Sequence, residues 1–259
     1  MIKRIVHFSD LHIRLFKDHE LYRKILNQAL SEWRTLNPDR IVFTGDLVHS
    51  KNQMTPELVE FIAWILTECA SIAKTIVIFG NHDFLESNNS RLDAITPVID
   101  SIKNNYIVYY KNRGAYEDDN INWCVYSLMD HNIPPDIPNN NKLNIGLFHG
   151  PVQGLKTDVG YKFEDGFEVN KFKGCDIVFC GDIHKRQVFD IPNGKKAYMI
   201  GSTIQQNYGE SLNNHGYGVY EVEKDEYTFV DLPNPKPFLK FKIESFEDLV
   251  NGTEKLLNY

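Results

Sequence analysis

Five short apolar stretches in this chain stop at the same kind of residue. Residues 2–8 run into Ser9-Asp10-Leu11-His12, 40–44 into Gly45-Asp46-Leu47-Val48-His49, and 75–79 into Gly80-Asn81-His82-Asp83. Residues 143–149 end on His149-Gly150, and 176–180 end on Gly181-Asp182-Ile183-His184. Runs of this length, bounded by glycine and other turn formers, read as buried strands. Helical patterns separate the first three. Residues 19–36 carry apolar side chains at 21, 22, 25, 26, 29, 30 and 33. Thr55-Pro56, a cap followed by a first-turn proline, opens a second stripe through Phe61, Ile62, Ile65 and Leu66 towards Ala70. Strand–helix–strand–helix–strand order requires parallel strands joined by right-handed crossovers. Parallel strands point their carboxyl ends to one edge, where ligands bind in such sheets. Every fold open to this chain therefore collects Asp, Asn and His at one place.

The remaining stretches fill in an α/β chain. Residues 84–104 read as a polar loop and a helix interrupted at Pro97. Residues 106–110, 114–117 and 121–128 read as strands with a tight turn at Asp118-Asp119-Asn120. Residues 131–142, with three prolines and Asn139-Asn140-Asn141, read as a surface loop. One short helix is expected within 161–174. A hairpin is expected over 188–200 around Pro192-Asn193-Gly194, and another over 216–222 and 227–232. Leu232-Pro233-Asn234-Pro235-Lys236-Pro237 is a linker. It divides a domain of residues 1–232 from a tail, 233–259, holding one strand (238–243) and one helix (245–257). The tail either packs back on the body or begins a further domain.

Composition sets outer bounds. A chain of 259 residues with 42% hydrophobic and 24% charged residues can bury a large core, as ordinary globular proteins do. No apolar run approaches the roughly 20 residues that span a bilayer. Met1 leads directly into the first strand, leaving no room for a signal peptide. Cys69, Cys124, Cys175 and Cys180 form no CxxC pair and read as buried reduced thiols of a cytoplasmic protein. Cys175 and Cys180 flank one strand and are expected on opposite faces. The net charge of −7 weighs mildly against a broad basic surface for nucleic acid. It does so only mildly, because bound metal would neutralise several carboxylates.

The strand-end residues carry the chemistry. Asp10, His12, Asp46, Asn81, His149, Asp182 and His184 offer carboxylate, imidazole and amide donors with no thiolate. That set suits Mn²⁺, Fe²⁺ or Zn²⁺ in an open site rather than a closed structural zinc. It is too many for one ion; with one bridging carboxylate it suits two ions roughly 3.5–4 Å apart. His49 and His82 are left for acid catalysis or phosphate binding. Alone, each motif has an ordinary explanation, since Asp and Asn cap helices and turns. Five of them at successive strand ends do not. His7, His19, His131 and His215 fall outside the motifs and read as structural.

Taken together, Asp10-x-His12, Gly45-Asp46, Gly80-Asn81-His82-Asp83, His149 and Gly181-x-x-His184 resemble the calcineurin-like metallophosphoesterase superfamily. The resemblance implies two facing mixed β-sheets flanked by helices, with a dinuclear site at the strand ends. It implies Asp10, His12, Asp46 and His184 on one metal, and Asp46, Asn81, His149 and residue 182 on the other, with Asp46 bridging. The superfamily usually has Gly-His-x-His at 181–184, so Asp182 is a departure. A carboxylate there favours a harder ion such as Mn²⁺ or Mg²⁺; alternatively Asp182 lies outside the ligand set. His49 and the segment Gly201-Ser202-Thr203-Ile204-Gln205-Gln206-Asn207-Tyr208-Gly209-Glu210 are similar to SbcD-type DNA nucleases, a group that includes phage recombination enzymes. That likeness implies Mn²⁺-dependent hydrolysis of DNA phosphodiesters, exonucleolytic with some endonuclease activity, in end processing, recombination and repair. It also implies His82 as the group acting on the leaving oxygen and His49 as orienting either the phosphate or His82. Asp83 would orient His82 or cap the loop. The implied partners are DNA, an SbcC-type ATPase and a second copy of the chain. The sequence stops at Tyr259, before the capping domain and ATPase-binding helices of that group. A small-molecule or cyclic-nucleotide phosphodiesterase, or a catalytically weak partner-binding module, remain as alternatives.

Overall fold

The computed structural model describes residues 1–88, 90–240 and 243–257, with side chains to residue 252. The chain begins β1 (Arg4–Phe8), α1 (His19–Leu36), β2 (Arg40–Thr44), α2 (Pro56–Ile72), β3 (Lys74–Ile78), α3 (Thr96–Ile102) and β4 (Ile107–Tyr109). It continues through β5 (Gly114–Asp118), β6 (Ile121–Tyr126), β7 (Leu143–His149), β8 (Ile177–Gly181), β9 (Gln187–Ile191) and β10 (Lys195–Met199). β11 (Gly216–Glu221), β12 (Glu226–Asp231) and α4 (Phe246–Leu257) complete it. The strands form two six-stranded mixed sheets, ordered β12–β11–β1–β2–β3–β4 and β5–β6–β7–β8–β10–β9. β1 to β4 are parallel, as are β6, β7, β8 and β10. All the strands that end in the polar motifs are among these.

Two-residue alternation sorts the side chains between layers. In the first sheet, Ile5, Val42, Ile76 and Ile78 face the second sheet, where they meet Trp123, Val125, Leu147, Ile177 and Phe179. Val6, Phe8, Ile41, Phe43 and Val77 face the helices. Both faces are covered, so the strands read as continuous apolar runs. The stripe of α1 buries Tyr22, Ile25, Leu26, Ala29, Leu30 and Trp33. Each large side chain so removed from water contributes roughly 1.5–3 kcal/mol. Thr55 caps α2 by accepting from the Leu58 N–H, with Pro56 in the first turn.

Several local expectations change. Pro97 occupies the first turn of α3, where its missing N–H has no intrahelical role, so it starts that helix rather than interrupting it. The strand expected over 121–128 ends at Tyr126. Ser127 then turns the chain by accepting from the Met129 N–H and donating to the Lys111 carbonyl. Cys175 and Cys180 pack in one cluster with Cys124 on the outer face of the second sheet. Cys175 precedes β8, so strand alternation does not set its direction, and its Sγ lies 3.4 Å from the Tyr126 hydroxyl. All four cysteines are buried and free of disulfides. Residues 238–240 of the expected tail strand are not in a strand, and residues 241–242 lie outside the described residues. Phe238 is tied to the body by its N–H to Gln205 Oε1 (2.8 Å) and its carbonyl to Gln205 Nε2 (3.1 Å). Among the described residues no helix is long and apolar enough to cross a membrane.

Candidate active site

The chain turns abruptly at each strand end. Asp10, His12, Asp46 and Asp182 have φ of 53°, 46°, 59° and 99°, in the left-handed region that side chains rarely occupy. Such conformations cost of order 1–3 kcal/mol each and persist where surrounding bonds impose them. Here the loops after β1 and β2 are laced together. Asp10 N–H donates to the Gly45 carbonyl (3.0 Å), His12 to Asp46 (3.0 Å), Ile13 to Leu47 (2.9 Å) and His49 to Ile13 (2.9 Å). The fully buried Asp83 carboxylate accepts from the backbone N–H groups of Gly80, Asp46, Leu47 and Val48. Asp83 therefore caps the loop and fixes the β2 loop to the β3 loop. Burial, and then the adjacent Asp46, push its carboxyl up to about 7. No side chain fits at Gly80: a Cβ would land on Asp46 Oδ1 and 2.6 Å from His149 Cε1. At Gly45, φ is +100° and a Cβ would strike His149 Nδ1.

The seven donors foreseen from sequence converge in two groups that share Asp46. In the first, His12 Nε2 and His184 Nε2 stand 2.9 Å apart. Asp10 Oδ1 lies 3.9 and 3.8 Å from them, and Asp46 Oδ2 is 3.4 Å from His12 Nε2. In the second, His149 Nε2 lies 3.4 Å from Asp46 Oδ1 and 3.7 Å from Asp182 Oδ1. Asn81 Nδ2 donates to the same Asp182 oxygen (3.1 Å). Asp182, the departure in the sequence pattern, thus lies in the second group. Burial would raise the Asp46 carboxyl, but His149 and His12 outweigh it and hold it low. Burial opposes charge on His184, yet its bond to Glu210 and the nearby Asp10 bring it to about 9.

The imidazoles are oriented from behind. His149 Nδ1 donates to the Thr44 carbonyl (2.7 Å), which turns the lone pair of Nε2 into the site. That Nε2 is buried without a hydrogen-bond partner, as is Asn81 Oδ1. His184 Nδ1 donates to Glu210 Oε1 (2.7 Å). His82 takes a different place. Its backbone N–H donates to Asp46 Oδ1 (2.8 Å), and its Nδ1 bonds the carbonyl of His49 (2.8 Å). Its ring lies 4.7 Å from that of His12, at the mouth of the cluster. The His49 ring stands 5.8 Å from the His82 ring, exposed at the rim. His49 thus positions His82 through its backbone rather than its imidazole.

Residues 3–186 match the calcineurin-like phosphoesterase family model. The chain belongs to that family. It is 35% identical over 257 residues to an uncharacterised protein of Acanthamoeba polyphaga mimivirus, covering 93% of this chain. The chain spans about a fifth of that relative's length. In structure it is similar to a dimetal phosphatase from Danio rerio, with a TM-score of 0.52 at 10% identity, over 91% of this chain and 97% of the other. The two facing sheets flanked by helices are accordingly those of the calcineurin-like fold. The residues present fit two divalent ions. The orphaned His149 Nε2 and Asn81 Oδ1, and two imidazole nitrogens facing each other beside carboxylates, form a donor set that a cation completes.

Behind the imidazoles stand residues outside the strand-end motifs. Glu210, which orients His184, is itself held by Ser202 Oγ (3.2 Å), and Ser202 Oγ bonds His215 Nδ1 (2.9 Å). His215 is structural in origin but stands third in a line leading to the cluster. Glu210 is the last residue of the 201–210 segment, which carried the likeness in sequence; His215 lies outside that segment. Arg14, Gln206 and Asn207 also line the cavity of about 220 Å³ over the cluster. A cavity of about 330 Å³ shares His49, Asn81 and His82 with it and runs to Lys51 and Glu86. Another, about 290 Å³, shares Asp182, His184 and Asn207 with it and runs past Lys185 and Phe163. The cluster lies midway along a trough, not at the bottom of a closed pocket.

Proposed function

We propose that this phosphoesterase is a DNA nuclease, hydrolysing phosphodiester bonds mainly from strand ends with some internal cleavage. The trough carries this reading. A small ester needs one enclosed pocket, whereas a polymer needs room on both sides of the scissile bond. The 201–210 segment, similar to that of SbcD-type nucleases, supports it by reaching the cluster through Glu210.

Asp10, His12, Asp46 and His184 would hold one divalent ion, and Asp46, Asn81, His149 and Asp182 the other. When bound, such a pair supplies hydroxide from water near neutral pH and neutralises charge on the phosphate. The carboxylates of Asp10, Asp46 and Asp182 with the Asn81 amide oxygen make an oxygen-rich set that favours Mn²⁺ over Zn²⁺. His82, with Nδ1 engaged by the His49 carbonyl, presents Nε2 to the trough. As imidazolium it keeps that bond and offers the Nε2 proton to the departing oxygen. The His49 ring and Arg14 stand where they can meet non-bridging phosphate oxygens.

The test is to incubate the protein with linear DNA, a cyclic nucleotide and bis-para-nitrophenyl phosphate, in Mn²⁺ and in chelator. Cleavage of DNA in Mn²⁺, abolished by chelator and reduced about 10³-fold or more by Asp46→Ala, is the expected result. Intact DNA beside hydrolysed small diesters would refute the nuclease reading. No turnover of any substrate by metal-loaded protein would favour a binding module.

A further inference from the structure

A fourth cavity adjoins the trough, sharing Arg14 and Gln206 with the cavity over the metal cluster. It holds about 230 Å³, enough for part of one nucleotide, and lies between the loop after β1, the 201–210 segment and the tail. Its floor is rigid. Tyr22 donates its hydroxyl to Gln206 Oε1 (3.1 Å), and Gln206 Nε2 donates to the Leu11 carbonyl (3.1 Å). Its outer wall is aromatic. Tyr208, 57% exposed, and Phe238 pack edge to face with ring centroids 5.0 Å apart. The wall exists because the tail is bound back to Gln205 through Phe238.

This cavity has a lining whose charge is positive on balance. It is lined by Arg14, Lys17 and Lys236 against one carboxylate, Asp18, in a chain of net charge −7. Asp18 pairs with Lys236 (3.2 Å). Lys17 is exposed and has no ion pair among the described residues. An exposed aromatic face beside Lys17 and Arg14, continuous with the trough over the cluster, fits an anionic unit with a planar base. Base–aromatic stacking with cationic contacts to the backbone is how single strands are held without sequence preference.

We propose that this cavity is a nucleotide subsite, holding a base next to the scissile phosphate against Tyr208 and Phe238 and its backbone phosphate near Arg14 and Lys17. The occupant is a single-stranded unit, because a paired base cannot offer its face to a side chain. The subsite rests on the nuclease reading and adds to it a requirement for a frayed or single-stranded end.

The experiment compares Tyr208→Leu, Tyr208→Phe, Phe238→Leu and Lys17→Gln with wild type. Binding of a labelled short oligothymidylate is followed by fluorescence anisotropy in chelator. The ratio of kcat/KM for that oligonucleotide to kcat/KM for bis-para-nitrophenyl phosphate is measured in Mn²⁺. Tyr208→Leu and Phe238→Leu should each lower affinity and the ratio about tenfold, while Tyr208→Phe retains both. Lys17→Gln should reduce the slope of log affinity against log salt by about 0.7. An unchanged ratio in both leucine variants, with wild type cutting the oligonucleotide, overturns the subsite alone. Wild type that hydrolyses the chromogenic diester but neither binds nor cuts the oligonucleotide overturns the nuclease reading and the subsite together.

Discussion

The two halves of the metal cluster are supported in different ways. His184, in the first half, is held by side chains: Glu210, then Ser202, then His215. His149, in the second, is held by backbone, the Thr44 carbonyl. Around it, Gly45 and Gly80 let the loops approach where any side chain would collide. The first half is therefore open to graded change, because each link is a replaceable side chain. The second is open only to abrupt change, because its links are main chain. Asp46 lies in both and transmits damage either way.

The largest test of this contrast is Gly80→Ala. The added methyl meets Asp46 Oδ1, so the loop must shift. We expect about 3 kcal/mol of destabilisation, a fall of roughly 6–10 °C in Tm by calorimetry, with loss of the second metal equivalent. A variant of wild-type stability would show that the second half tolerates gradual change after all.

Next is the group beneath Thr44. His7 is fully buried, bonded to Thr44 Oγ1 (2.8 Å) and stacked on Phe179, and burial lowers its pKa to about 3. The unfolded chain takes up a proton near 6.5 that the native chain refuses. The stability due to neutral His7 is thus full above 6.5 and falls as pH drops towards 3. His7→Gln should flatten this acid limb by about 3 kcal/mol at pH 4.5, read from denaturant melts across the range. An identical limb in the variant would place the acid sensitivity elsewhere.

Glu210→Gln tests the first half. It keeps the shape and removes the charge that orients His184, and losses of about 10- to 100-fold in metal affinity or activity accompany such changes. Titration calorimetry should show one of two metals weakened and little change in Tm. Weakening of both equally would mean that the halves are not separable. The smallest effect is expected from Asp182→His, which exchanges a hard donor for imidazole in the second half. The ratio of activity in Zn²⁺ to that in Mn²⁺ should rise by a few-fold. An unaltered ratio would place residue 182 outside the ligand set.

The contrast also explains what could be read in advance. The bounds of α1 and the strand-end donors were legible because apolar periodicity and turn chemistry are local. The support behind the donors was not. Glu210 reaches His184 from 26 residues away, and Asp83 bonds Asp46 across 37. Neither spacing marks a contact until the sheets are assembled. The left-handed conformations of Asp10 and His12 gave no sign, because neither is glycine. Cys175 stands two residues before β8, where strand alternation does not apply, so it shares a face with Cys180 instead of opposing it. In the expected tail strand, residues 238–240 form no ladder; the Phe238 backbone is bonded instead to the Gln205 side chain.

Asp83 has a consequence for anyone altering this protein. Its one carboxylate clamps four amides drawn from two loops. Residues 45–48 and 80–83 therefore form a single mechanical part, and a change made in one must be matched in the other. Variation that spares the chemistry belongs at the rims, at 50–52 and 85–88. New substrates are best sought there, with the Asp83 clamp left intact.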